Sequence, residues 1–180
     1  MSCKKLFLGL LACLFFAGLS VKAQMQQAMK ITLDVDTSVV FNVKLSVVWN
    51  LVKDPSQWNL FLGKSVTAFN ATGVIGESPE NPTTMEIKMT FADGTGRNLK
   101  VEQFTPQYRF MVIKVINPVQ QGITDNFIGL TVDVIGETSC KLAYRIRVDG
   151  PEPAKSELLS QLKREMRTII AGIAGKTGSQ

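Results

Sequence analysis

The chain has 180 residues, 45% of them hydrophobic and 19% charged, with a formal net charge of +5 from 20 Lys plus Arg against 15 Asp plus Glu. It contains no His, which excludes His general bases, Ser-His-Asp and Cys-His nucleophile systems and His-ligated metals together. Three widely spaced Cys exclude a four-Cys zinc site and a disulfide-rich scaffold, and the apolar content is that of a globular chain.

Lys4 and Lys5 precede an uncharged, mostly apolar run from Leu6 to Leu19, and Val21-Lys22-Ala23 offers a cleavage site before Gln24. This plan predicts a secretory signal peptide over residues 1–23, a single domain over 24–180, and a periplasmic or secreted protein. The run is shorter than the about 20 apolar residues a spanning helix needs. A lipoprotein anchored through Cys13, in the loose lipobox Leu10-Leu11-Ala12-Cys13, ranks second because the apolar run continues past Cys13 through Phe16. Cleavage after Ala23 would remove Lys4, Lys5 and Lys22 but no acid, leaving a mildly basic domain. It would also remove Cys3 and Cys13, so Cys140 would have no disulfide partner and stability would rest on an apolar core.

Ile31 to Phe41 alternates apolar and polar residues and predicts a half-buried strand. Lys44 to Lys53 carries Val47, Val48, Leu51 and Val52 at helical spacing around Trp49. Asp54-Pro55 ends that helix and starts a second short one through Trp58 to Leu62. Ser65 to Phe69 reads as a strand and Gly73 to Pro82 as a loop. Met85, Ile87, Met89 and Phe91 alternate with Glu86, Lys88 and Thr90 up to a hairpin turn at Asp93-Gly94-Thr95-Gly96, after which Leu99 and Val101 begin the return strand. Pro106 breaks it. Tyr108 to Ile116 is apolar on both faces apart from Arg109 and Lys114, so its inward face stays open. Ile128, Leu130, Val132 and Val134 form the next inward row, and Cys140, Leu142, Tyr144, Ile146 and Val148 the last. Beyond Pro151 and Pro153, Leu158, Leu159, Leu162, Met166, Ile169, Ile170 and Ile173 recur at steps of three and four and predict one long amphipathic helix, weakened toward its end by Gly172 and Gly175.

The order is strand, two short helices, six strands joined by short turns, and one long helix. It predicts an α+β fold, a curved seven-stranded antiparallel sheet wrapped around the C-terminal helix. Inward rows rich in flexible Met (Met85, Met89 and Met166) predict an apolar cavity between sheet and helix.

Val47-Val48-Trp49-Asn50-Leu51-Val52-Lys53-Asp54-Pro55 with Trp58 is similar to the valine–tryptophan helix, Asp-Pro break and second tryptophan of the START-like, SRPBCC or helix-grip superfamily. That superfamily includes polyketide cyclase/dehydrase and lipid-transport proteins. Phe91-Ala92-Asp93-Gly94 and Val101-Glu102-Gln103-Phe104-Thr105-Pro106-Gln107-Tyr108-Arg109-Phe110 resemble its hairpin and strand–proline–strand step, and the terminal Leu and Met stripe resembles its long helix. The resemblance covers most of residues 30–174 and implies a hydrophobic cavity for a lipid, polyketide or other apolar molecule. It supplies no catalytic signature.

The ligand lining expected from these readings is Trp58, Met85, Met89, Phe91, Leu130, Tyr144, Leu162 and Met166. No catalytic residue, metal or cofactor is expected. Asp34-Val35-Asp36 puts two carboxylates on one strand face, but that face is the polar one and solvated surface is the simpler reading. Gly172 to Thr177 ends like a phosphate loop, yet Ile170 stands where the leading Gly belongs and the segment closes a helix rather than opening one. Trp58 divides between packing and ligand stacking, Tyr144 offers a hydroxyl to a ligand head group or a neighbouring strand, and Lys114 faces either the cavity or water. Lys163, Arg164 and Arg167 form a basic stripe, either a solvated face or a transient membrane-surface contact, and the mild charge argues against nucleic acid. The expected function is an exported, non-catalytic binder or carrier of a small hydrophobic molecule. The alternatives are a cyclase or dehydratase-type enzyme using Tyr144, Lys114 or a buried carboxylate, and a protein-interaction module.

Overall fold

A computed structural model describes residues 33–78 and 80–178. The signal-peptide expectation, the Cys13 lipobox and the start of the first strand at Ile31 lie outside the described residues.

The elements follow in the expected order. Strand β1 (Val35–Phe41) leads to helix α1 (Leu45–Val52), a 3₁₀ turn at Pro55–Gln57 and short helix α2 (Asn59–Leu62). Then come β2 (Val66–Thr72), β3 (Glu86–Phe91), β4 (Gly96–Thr105), β5 (Phe110–Asn117), β6 (Asp125–Gly136), β7 (Ser139–Asp149) and helix α3 (Ala154–Thr177). All seven strands form one antiparallel sheet in the order β1-β7-β6-β5-β4-β3-β2, so only the β1–β7 pairing joins strands distant in sequence.

Register turns the alternation of each strand into continuous apolar rows. Val101 pairs with Ile113, Ile113 with Ile128, Ile128 with Ile146, and Ile146 with Val35, giving one row across five strands. Met111, Leu130 and Tyr144 form the adjoining row. On β5 the buried face is therefore Met111, Ile113 and Val115. Lys114 takes the opposite face, where its Nζ lies 2.9 Å from Asp125 Oδ1. Each partner's hydrogen bond to the other raises the Lys114 pKa and lowers that of Asp125.

Local departures from the expected elements have physical causes. β4 carries an irregularity between Val101 and Gln103, which leaves Glu102 as an extra residue and shifts the inward parity from Leu99 and Val101 to Phe104. Phe104 can then stack on Trp49 of α1, with ring centroids 5.8 Å apart and planes 6° off parallel. Pro106–Tyr108 is a 3₁₀ turn, with Arg109 left-handed (φ 48°), so β5 starts at Phe110 rather than Tyr108. Hydrogen bonding between the β5 and β6 backbones gives way beyond Ile113, where buried Asn126 replaces the ladder: its Oδ1 accepts from Val115 N–H (2.8 Å) and its Nδ2 donates to Val115 O (3.2 Å).

Helix α3 runs through Gly172 and Gly175 to Thr177 instead of weakening there. Gly172 is a contact point: a Cβ at this position would lie 2.6 Å from the carbonyl oxygen of Phe61, so its bare Cα lets α2 approach α3. The helix buries Leu158, Leu162, Met166, Ile169 and Ile173 against the sheet and α1, in one cluster with Val48, Val52 and the inward strand rows.

Candidate functional site

A charged cluster interrupts the hydrocarbon between sheet and helix. Arg97 is the first inward residue of β4, two before Leu99 and four before Val101, and its residue is 1% exposed. Glu165 lies on the buried stripe of α3, three after Leu162 and four before Ile169, and is 8% exposed. The two meet face to face. Arg97 Nη2 donates to Glu165 Oε1 at 2.7 Å, and Nε donates to Oε1 and Oε2 at 3.1 and 3.2 Å. Arg97 Nη2 also donates to Gln161 Oε1 (2.7 Å) and Nη1 to Pro118 O (3.0 Å). The planar guanidinium thus ties β4, the turn after β5 and two successive turns of α3 together, a task its fixed fork of donors suits.

Two acceptors around this fork are under-used. Glu165 Oε2 receives only the longest of the three contacts, although a carboxylate oxygen has two lone pairs. Gln120 donates to Gln161 Oε1 at 3.4 Å, while its own Oε1 is buried without a partner.

Glu165 also faces outward into a cleft of about 280 Å³ between α3 and the β3–β4 hairpin. Phe91, Asp93, Thr95, Gln161, Arg164 and Thr168 line it. The hairpin turn fixes one wall: Gly94 adopts φ 85°, and Asp93 Oδ1 accepts the Thr95 N–H at 2.8 Å. That backbone hydrogen bond, helped by nearby Arg164, holds the Asp93 carboxyl below its ordinary value. Phe91 belongs to both environments, lining the cleft and forming part of the apolar core.

The residues named from sequence fall as follows. Trp58, Met85, Met89, Phe91, Leu130, Tyr144, Leu162 and Met166 are all buried in a single apolar cluster. Trp58, 1% exposed, donates from Nε1 to Val52 O at 3.3 Å and contacts Phe61, which places it at the joint of α1 and α2. Of the eight, only Phe91 lines the cleft beside Glu165. Asp34 and Asp36 have protein partners: Asp34 lies 2.6 Å from Lys155 and accepts the Val148 N–H at 2.8 Å, and Asp36 lies 3.3 Å from Arg145. Gly172 to Thr177 is helical throughout. In the basic stripe Arg164 and Arg167 are exposed and Lys163 is half-buried. Cys140 is buried, and burial raises its thiol pKa.

Arg97 and Glu165 were not singled out from sequence, though their positions carried a signal. Each is a charged residue at a core step of its element: 97-99-101 on the strand and 162-165-169 on the helix.

No family model matches the chain, and no curated protein matches it. Solved structures do. Norcoclaurine synthase from Thalictrum flavum, in complex with dopamine and hydroxybenzaldehyde, superposes with a TM-score of 0.63 at 13% identity, covering 78% of this chain and 83% of the synthase. A START superfamily protein from Mycobacterium smegmatis gives 0.57 at 11% identity over 80% and 96% of the two chains. The protein XoxI from Bacillus cereus gives 0.60 at 12% identity over 79% and 94%. At these identities the likeness concerns the fold: the chain has the START-like, SRPBCC helix-grip fold, an open seven-stranded sheet closed by one long helix.

Proposed function

We propose that the chain is an exported, non-catalytic binder of a small, mostly apolar molecule held between α3 and the sheet. The observation that carries this reading is the position of the cleft. It opens between the grip helix and the β3–β4 hairpin, and Phe91 belongs both to its lining and to a core whose Met85, Met89 and Met166 can rearrange around a guest. Met85, Met89, Leu130, Tyr144, Leu162 and Met166 would then be the second layer that a guest meets after Phe91, with Trp58 bracing the α1–α2 joint beside them. Affinity would come mainly from buried apolar area, at about 25 cal/mol per Å² before entropic costs. The Lys4-Lys5 segment and the apolar run after it support export, and exposed Arg164 and Arg167 suit a transient contact with an anionic membrane surface.

Glu165, a carboxylate more than nine-tenths buried beside a cleft, favours one second reading, acid–base catalysis in the same place. One neighbour in fold is a synthase, and a fold of this kind hosts both activities. Binding ranks first because Arg97 occupies Glu165 through both carboxylate oxygens, as a structural partner does.

Native mass spectrometry of the protein purified from its own envelope, followed by organic extraction, tests the first reading. The expected result is a stoichiometric small molecule released on denaturation. Protein that carries nothing and takes up nothing from an envelope extract would count against it.

A further inference from the structure

The same cleft, taken with the binding role proposed above, carries a statement about which ligand fits. We propose that it selects small neutral molecules with a hydroxyl group at one end, the hydroxyl donating to Glu165 Oε2 and the hydrocarbon body lying on Phe91.

The polar balance of the site gives the argument. Glu165 is desolvated, and its Oε2 receives only the 3.2 Å contact from Arg97 Nε. A buried carboxylate oxygen with spare lone pairs gains most from a new donor, because the alternative is an unmade hydrogen bond in a low-dielectric surrounding. Gln161 Oε1 already accepts from both Arg97 and Gln120, so Glu165 Oε2 is the acceptor of this cleft lining left for a ligand hydroxyl.

Charge rules against the two ionic head groups. An anionic head would find both nearby cations already engaged, Arg97 by Glu165 and Arg164 by the field of Asp93. A cationic head would approach Glu165 after Arg97 has already neutralised it, with Arg164 on the same wall. A hydroxyl meets neither penalty. Size sharpens the class further. At about 280 Å³ the cleft lies at the bottom of the about 300–1,000 Å³ usual for ligand sites, which suits a single ring or a short chain and not a two-chain lipid.

Four probes of one shape separate the possibilities in the full chain: 4-propylphenol, propylbenzene, 4-propylbenzoate and 4-propylbenzylammonium, each titrated by calorimetry and by amide NMR. The phenol is expected to bind about tenfold more tightly than each of the other three, the value of one buried hydrogen bond to a charged group. The largest shifts should fall at Phe91, Thr95, Glu165 and Thr168. Arg97→Met combined with Glu165→Leu should keep the apolar contact while bringing the phenol and propylbenzene affinities together. Should the benzoate or the ammonium bind as well as the phenol, the head-group assignment is wrong while the binding role stands. Retention of the phenol preference in the double variant would also overturn it. Failure of all four probes would remove both the assignment and this cleft as the binding place. The four-probe ranking in the unaltered chain decides the matter even where the double variant does not fold.

Discussion

The sheet grips α3 in two different ways. Toward β7 and α1 the contact is hydrocarbon: Leu158, Leu162, Met166, Ile169 and Ile173 close onto Val48, Val52, Leu142, Ile146 and Val148 and leave almost no accessible surface. Toward β4 the contact is ionic, Arg97 on Glu165, and there a cleft opens beside it. The first arrangement is what apolar burial achieves unaided. The second costs desolvation of two charges, and a buried ion pair often stabilises no better than a well-packed apolar pair of similar volume. A fold that has hydrocarbon available along the rest of the interface has little stability reason to place a charge pair at this one point. On the binding role proposed above, the hydrocarbon flank serves stability and the ionic flank serves recognition.

Breaking the ionic flank on one side gives the largest expected effect. Arg97→Met leaves Glu165 buried without its partner and should lower stability by about 3–5 kcal/mol in urea denaturation. The double variant Arg97→Met with Glu165→Leu should recover most of that loss, since both charges are gone together. A double variant as unstable as the single one would show that the pair is itself a main source of stability, and the division between the two flanks would not hold.

On the hydrocarbon flank the informative position is Gly172. Helix propensity alone predicts that Gly172→Ala gains up to about 1 kcal/mol. The added methyl would instead press on the Phe61 carbonyl at 2.6 Å and on its ring at 3.0 Å, pushing α2 off α3. The expected outcome is a net loss of about 1–2 kcal/mol. Gly175→Ala is the control, because a Cβ there meets open space and propensity should prevail with a small gain. If both variants gain stability by thermal melting, the close approach of α2 and α3 is not tight.

How much of this was legible in the sequence follows the same division. The apolar flank was written in local periodicity: alternation gave the inward rows of β3, β6 and β7, and steps of three and four gave α3. Val134, expected at the end of the β6 row, is instead exposed, because β6 runs past the core there, next to the irregular pairing of Gly136 with Ser139. Where periodicity is ambiguous the outcome waited for pairing. On β5 both Met111-Ile113-Val115 and Phe110-Val112-Ile116 are apolar, and only register against Leu130 and Ile128 selects the first set. The extra residue at Glu102 was equally invisible, because a bulge is defined by the partner strand and not by its own composition. The ionic flank was hidden for a different reason. Glu165 stands among Lys163, Arg164 and Arg167, whose charges mask its core step, and Arg97 adjoins a hairpin turn where charge is ordinary. Their partnership spans 68 positions and exists only once β4 and α3 are brought together.

The smallest predicted effect lies at the edge of the hydrocarbon flank, where Asp34 ties the start of β1 to β7 and to the first turn of α3. Burial raises its pKa, but the Lys155 hydrogen bond at 2.6 Å and the Val148 N–H at 2.8 Å outweigh that and hold it below the ordinary value. An unfolded Asp titrates near about 3.9, so on acidification the unfolded chain takes up this proton first. The stabilisation from Asp34 is thus complete above about pH 4 and is lost as pH falls through the folded value. Asp34→Asn should cost about 1 kcal/mol at neutral pH and should flatten the decline of the urea midpoint between about pH 4 and 3. Asp125, also lowered by its hydrogen bond from Lys114, supplies part of the slope that remains. An acid limb as steep in the variant as in the unaltered chain would mean that Asp34 is not a latch, and that β1 is held by its ladder to β7 alone.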